Sequence, residues 1–190
     1  MLEIQRQFDV SFFGCVRTIK ALIPHMRQRS SGSIINVAIT EGFSSAPAIG
    51  VYGASKHTLE DLSESLAGEL APFGIRVLIV EPGAMRTNFL DDSNTAVAPV
   101  SQPYKDTAAE YVVKMLRGSQ GKQAQDPECT AHRIVESING EGEGWPEDRG
   151  KYLRLPLGKE CLGRVEARIK MLQENLDVVR MVASTVDFDE

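Results

Sequence analysis

Phe8, Phe12, Val16, Ile19, Ile23 and Met26 recur in steps of three and four, which places them on one stripe of a helix. Ser30-Ser31-Gly32 then breaks the pattern, and the run Ser33–Ile39 is mostly apolar on both faces. That predicts a strand buried inside a parallel sheet. A Ser-, Gly- and Ala-rich loop over about residues 40–50 leads to a second helix, from about Val51 to Pro72. Its core stripe is Leu59, Leu62, Leu66 and Leu70, and Pro72 with Gly74 ends it. Ile75–Val80 reads as a second buried strand, stopped by Pro82-Gly83. Strand, helix and strand in this order predict a βαβ unit with a right-handed crossover.

Beyond Arg86 the pattern loosens. Helices are expected near residues 105–117 and 127–139, and a short third strand at residues 152–155. Leu162, Val165, Ile169, Leu172, Leu176 and Val179 then mark a long C-terminal helix, whose stripe is expected to pack on the sheet or on a partner. The acidic tail 187–190 is expected to be solvated. The predicted class is α/β in one domain, 1–190. Its parts are a βαβ core over 1–90, a variable region over 91–150, and a last strand with the long helix over 151–190.

Composition narrows the function classes. With 190 residues, 42% of them hydrophobic and 25% charged, the chain is globular rather than disordered or collagenous. A net charge of −5 argues against nucleic-acid and anionic-membrane partners. Three scattered cysteines without CxxC spacing read as reduced thiols, and with no signal-like start they predict a cytoplasmic protein. The three histidines have no metal-helix spacing, so no metal site is expected.

The sharpest chemical feature is Tyr52-Gly53-Ala54-Ser55-Lys56 at the start of the second helix. Tyr and Lys at i and i+4 share one face. A phenol near pKa 10 is a poor base at neutral pH, and an adjacent ammonium and helix N-terminus favour the phenolate. Lowering the pKa by about 3 units takes roughly 4 kcal/mol. Alone the pair is weak, since about 0.2 such spacings are expected by chance in a chain like this one.

Two further motifs stand in register with it: Ile34-Ile35-Asn36-Val37 before, and Val80-Glu81-Pro82-Gly83-Ala84-Met85-Arg86-Thr87 after. Together they resemble the short-chain dehydrogenase/reductase family over roughly residues 1–90. The resemblance implies the second half of a Rossmann-like, doubly wound parallel sheet that binds NADP or NAD at the carboxyl ends of its strands. It implies that Tyr52 is the acid/base toward a carbonyl or alcohol substrate. Lys56 would lower the tyrosine pKa and hold the nicotinamide ribose, and Pro82, Gly83, Met85 and Thr87 would pack against the nicotinamide. It also implies a homo- or hetero-oligomer through helices 2–29 and 51–72. The C-terminal part looks like that of fungal members, which points to an apolar, middle-sized ketone or alcohol in fungal secondary metabolism.

The departures from the family pattern are as specific as the matches. The family's serine, thirteen residues before the tyrosine, is here Ile39 beside Ala38. Losing one such donor costs about 10²–10³ in rate. Thr40 is the next hydroxyl, but one step along a strand reverses the side chain, and Ser44 and Ser45 lie on the loop. The family's relay asparagine is here Ser11. The glycine-rich pyrophosphate turn and the Asn-Asn-Ala-Gly strand are not found, so the sequence is expected to begin after the family's first four strands. Gly140-Glu141-Gly142-Glu143-Gly144 follows no strand and reads as a plain loop. The same departures fit a different reading, in which the chain is an inactive remnant that serves as a dimerisation module or has no function. On that reading the strand Ser33–Ile39 is an exposed apolar edge.

Overall fold

A computed structural model describes every residue except 92, 93, 96, 97, 146, 149–151, 189 and 190. Helix α1 (Leu2–Phe8) passes through a π-helical turn (Asp9–Phe13) into α2 (Gly14–Gln28). There follow β1 (Gly32–Val37), a short α3 (Thr40–Phe43), α4 (Gly50–Leu70) and β2 (Ile75–Pro82). The remainder holds α5 (Ala108–Ser119), α6 (Pro127–Asn139), β3 (Arg154–Leu157) and α7 (Lys159–Ala183).

The three strands form one parallel sheet in the order β1-β2-β3. Gly32 pairs with Ile75 and Val37 with Val80 on one side of β2, and Ile79 pairs with Arg154 on the other. The central position of β2 explains its unbroken apolar run, because Val77 through Gly83 are all buried. One face packs Ile34, Ile75 and Val77 against Ile19 and Met26 of α2 and Leu66 and Leu70 of α4. The other face packs Leu78, Val80 and Leu155 against Ile134 of α6 and the aromatic pair Trp145 and Tyr152. The α/β class, the parallel sheet and the long C-terminal helix are therefore as the pattern predicts.

Several boundaries differ. β2 runs two residues past Val80, through Glu81 and Pro82, because Pro82 pairs at the end of the ladder where its missing N–H costs least. β1 ends at Val37, although the Ala38 amide still donates to the Val80 carbonyl. The third strand is displaced to Arg154–Leu157. Pro72 lies in a 3-10 turn (Ala71–Phe73) beyond α4, and Gly74 closes it at φ 66°, where an added Cβ would meet the Ser30 carbonyl oxygen at 2.6 Å. Gly140 caps α6 in the left-handed region and Gly142 and Gly144 share positive φ, so the glycine cluster is a turn.

In α7 only Cys161 is buried, and Leu162, Ile169, Leu172, Leu176 and Val179 stay about half exposed, so of the two expected coverings, the sheet or a partner, the sheet does not supply one. On the two helices expected at an oligomer interface, Ile19, Met26, Leu59, Leu66 and Leu70 are buried within the chain. An interface on these helices would use their other faces, where Val10, Phe13, Leu22 and Val51 are exposed. Of the acidic tail, residues 189 and 190 lie outside the described residues, while Phe188 is exposed. Among the described residues no helix is long and apolar enough to cross a membrane, and no cluster of potential metal ligands occurs.

Candidate active site

The carboxyl ends of β1 and β2 open toward the first turns of α4, and every predicted site residue falls there. Tyr52 sits in the first turn of α4 and Lys56 one turn later on the same face. Pro82 ends β2, and Gly83 is fixed by donating its amide to the Leu157 carbonyl at 3.0 Å. The chain then turns at Met85, which bridges to Gln125, and Arg86 donates its amide to the Gln125 carbonyl. Thr87 caps the 3-10 turn Asn88–Leu90, its hydroxyl oxygen accepting from the Phe89 amide at 3.3 Å. That turn lays the Phe89 ring 5.9 Å from the Tyr52 ring, joining the two motifs in space.

The electrostatics differ from expectation at Tyr52. Its phenol is not lowered by Lys56 but pushed up to about 12, first by burial and then by the Glu41 carboxylate. Lys56 Nζ instead donates to the Val37 carbonyl at 3.0 Å, and burial lowers its own pKa. An ammonium spent on a backbone carbonyl has two N–H groups left. The Thr87 hydroxyl likewise keeps its hydrogen, since its oxygen is the acceptor from Phe89. Gly83 leaves the end of β2 without a side chain, and a Cβ there would meet Gln125 Oε1 at 3.1 Å. These free donors beside a bare backbone suit a ribose and a planar carboxamide ring; nothing comparable is seen for an adenosine or pyrophosphate among the described residues.

The departures are also placed. Burial along β1 alternates as Ile34, Asn36, Ala38 and Thr40 in, with Ile35, Val37 and Ile39 less buried, so Ile39 and Thr40 do point oppositely. Thr40 is fully enclosed and donates to the Pro82 carbonyl at 3.2 Å, so it cannot stand in for the absent serine. Ile39 is the N-cap of α3 and provides no side-chain hydrogen bond. Ser44 gives its carbonyl to Arg164, and Ser45 Oγ lies against Gly53, one residue from Tyr52, where an added Cβ would meet it at 2.6 Å. Ser11 lies in the π-helical turn and accepts from Gln7 Nε2 at 2.7 Å, and Gln7 also reaches Ser55 Oγ at 3.3 Å. His57, which the motif gives no role, has Nδ1 2.7 Å from the Gly42 carbonyl oxygen.

Pattern reasoning missed a charged cluster directly beneath these residues. Glu60 on α4 and Glu81 on β2 are almost completely buried, and both face Arg154 of β3. Arg154 Nη2 is 3.2 Å from Glu60 Oε2 and its Nε is 3.0 Å from Glu81 Oε1, the second an ion contact rather than an aligned hydrogen bond. Arg154 also pairs with the exposed Glu64. Glu60 Oε1 has no hydrogen-bond partner and is closed off by Gly42. The one available signal was spacing, because residues 52, 56 and 60 share a helix face. A Cβ at Gly42 would lie 2.1 Å from Glu60 Oε1, and Arg154 pins that carboxylate. Gly42→Ala should therefore lower stability by about 1–3 kcal/mol; an unchanged denaturant midpoint would contradict this packing.

A parallel α/β sheet with Tyr and Lys on the helix following its first strand, and a Pro-Gly loop at the end of the next strand, matches a Rossmann-type α/β architecture. The profile of the short chain dehydrogenase family matches residues 2–98, and the chain belongs to that family. It is 34% identical over 162 residues to the uncharacterized oxidoreductase YusZ of Bacillus subtilis, covering 84% of this chain and 55% of that protein. It is 45% identical over 87 residues to oxidoreductase claN of Passalora fulva, covering 46% of this chain and 40% of that protein. A crystal structure of a short-chain dehydrogenase from Streptomyces avermitilis superposes with a TM-score of 0.84 at 32% identity, covering 99% of this chain and 65% of that one. The chain thus spans about half the length of the curated relatives it matches.

Proposed function

We propose that this chain carries the catalytic centre of an NAD(P)-dependent carbonyl reductase. The observation that carries the reading is the meeting of Tyr52, Lys56 and the Pro82–Thr87 loop at one end of the parallel sheet, with Phe89 closing over Tyr52. Tyr52 keeps its proton across the neutral range, because burial holds its pKa high, so it serves as the acid that protonates a carbonyl oxygen. Lys56 orients the ribose hydroxyls with its two unused N–H groups, and Pro82, Gly83, Met85 and Thr87 form the seat of the nicotinamide. A bound NADP or NAD would supply the hydride.

The half-exposed Phe89 ring beside Tyr52 favours an apolar, middle-sized ketone. Likeness to the Passalora fulva oxidoreductase claN supports the oxidoreductase reading, and a place in fungal secondary metabolism is part of the proposal. The contrary reading, an inactive family member acting through its helices, is favoured by Ile39 and Ser11, which leave two catalytic positions without their usual donors. Assay of the purified native protein with NADPH and NADH against a panel of apolar ketones decides between them. Detectable turnover that follows the enzyme supports the first reading; cofactor binding without turnover supports the second.

Ile39 also sharpens the test. Serine is preferred over isoleucine at an N-cap, so Ile39→Ser places a hydroxyl without harming α3. Catalysis should rise by about 10²-fold, read as kcat/KM for ketone reduction. No increase in an enzyme that binds cofactor would remove the serine position from the argument.

A further inference from the structure

One buried charge cluster joins the three segments that frame the candidate site. Arg154 reaches from β3 to Glu60, one turn beyond Lys56 on α4, and to Glu81, the residue before Pro82 on β2. Glu60 Oε1 is closed against Gly42 of α3, three residues past Ile39, and the Arg154 guanidinium carbon lies 5.9 Å from the Phe43 ring. Sliding α3, α4 or the end of β2 past its neighbours breaks an Arg154 contact or opens the Gly42 closure. We propose that Arg154, Glu60 and Glu81 are positioning residues that hold the helix bearing Tyr52 and Lys56 against the loop that starts at Pro82, and that this hold requires one of the two buried carboxyls to stay protonated. The inference rests on the reductase reading for its catalytic consequence, though not for its structural one.

The charge balance makes the proton necessary. Facing Glu60 are Glu81 from β2, Arg154 from β3, and Glu64 and Lys56 from α4. From α3 the Gly42 position closes on it, and Glu41 is paired with Arg164 of α7. The nearby His57 ring is turned to the Gly42 carbonyl. Lys56 is committed to the Val37 carbonyl, so one guanidinium serves two enclosed carboxylates and one exposed one. Two such carboxylates cannot both ionise without strong mutual repulsion and uncompensated desolvation. Burial accordingly pushes Glu60 up to about 7 and raises Glu81 as well. Loss of that proton above that range forces α4 and the end of β2 apart.

The test is the pH dependence of kcat and KM for ketone reduction by the purified native protein and its Glu60→Gln, Arg154→Lys and Arg154→Met variants. Hydrogen exchange of the residue 83–87 amides, without cofactor, is measured on the same set at pH 6 and 8.5. Wild-type kcat should fall about tenfold between these values, as one ionisation allows. Loop exchange should quicken about tenfold beyond the intrinsic pH effect. Glu60→Gln should abolish both changes. Arg154→Met should lower kcat at every pH, and Arg154→Lys should restore part of it. A pH response that survives Glu60→Gln, or an Arg154→Met that lowers only the melting temperature, overturns the proposal. If the wild type transfers no hydride from either cofactor, the reductase reading fails, and exchange alone judges the cluster. Equal pH responses of loop exchange in wild type and Glu60→Gln then overturn it, and a response confined to the wild type sustains it.

Discussion

Tyr52→Phe should lower ketone reduction by about 10²–10⁴-fold, the usual contribution of a positioned general acid. The substitution removes one oxygen and nothing else. The ring stays in place against Phe89, and among the described residues no hydrogen bond to the phenol is lost with it. Cofactor affinity should change little, since Lys56 is held by Val37 and not by Tyr52. The loss should therefore fall on kcat, with KM nearly constant, as expected when an interaction made only in the transition state is removed. Burial holds the Tyr52 pKa near 12, so the phenol is protonated from pH 6 to 10 and its own titration adds no slope to the reductive rate there. Alcohol oxidation needs the phenolate and should speed up with pH through the same range. Hydride transfer that persists in Tyr52→Phe would show a different proton donor, and Ser45, packed beside Gly53, would be the first hydroxyl to examine.

The legible part of this protein is what periodicity and motif register control. A central strand enclosed on both faces has to be apolar throughout, so β2 was plain in Ile75–Val80. The 3.6-residue spacing of Leu59, Leu62, Leu66 and Leu70 located α4, and the helix expected near residues 127–139 is α6. What the pattern could not carry was three-dimensional pairing between polar residues. Glu60 and Glu81 look like solvated charges in one dimension, since acidic residues are almost never buried without a partner. Their partner, Arg154, stands 94 residues from one of them. The Tyr52–Lys56 spacing suggested a lowered phenol pKa, yet proximity along a helix does not fix where an ammonium points. The Val37 carbonyl, bared at the end of β1, takes it instead. In α7 the regular stripe left the sheet and a partner both open as its covering, because periodicity says only that a face is apolar, not what covers it.

Arg154→Met should destabilise the protein by about 3–5 kcal/mol at pH 8, the range for removing one partner of a buried ion pair. Methionine fills part of the guanidinium stem's volume, so the cost is chiefly electrostatic. At pH 8 the wild-type cluster sets one cation against Glu60 and Glu81, and Arg154 pulls both carboxylate pKa values down against burial. Without it, each must stay protonated or be ionised unpaired in the core. The sign of the pH dependence follows from linkage. A carboxyl whose folded pKa exceeds its unfolded value binds more protons when folded, so stability falls as pH rises from the unfolded pKa through the folded one. For Glu60 that window runs from 4.5 to about 7 in the wild type, and removal of Arg154 extends it upward. The deficit of Arg154→Met relative to wild type should therefore be smaller near pH 5, where Glu60 is largely neutral in both proteins, and should widen toward pH 8. Urea unfolding at the two pH values measures it. A deficit of the same size at both would mean that Arg154 stabilises the sheet by packing on Phe43 and its neighbours, not by holding buried charge.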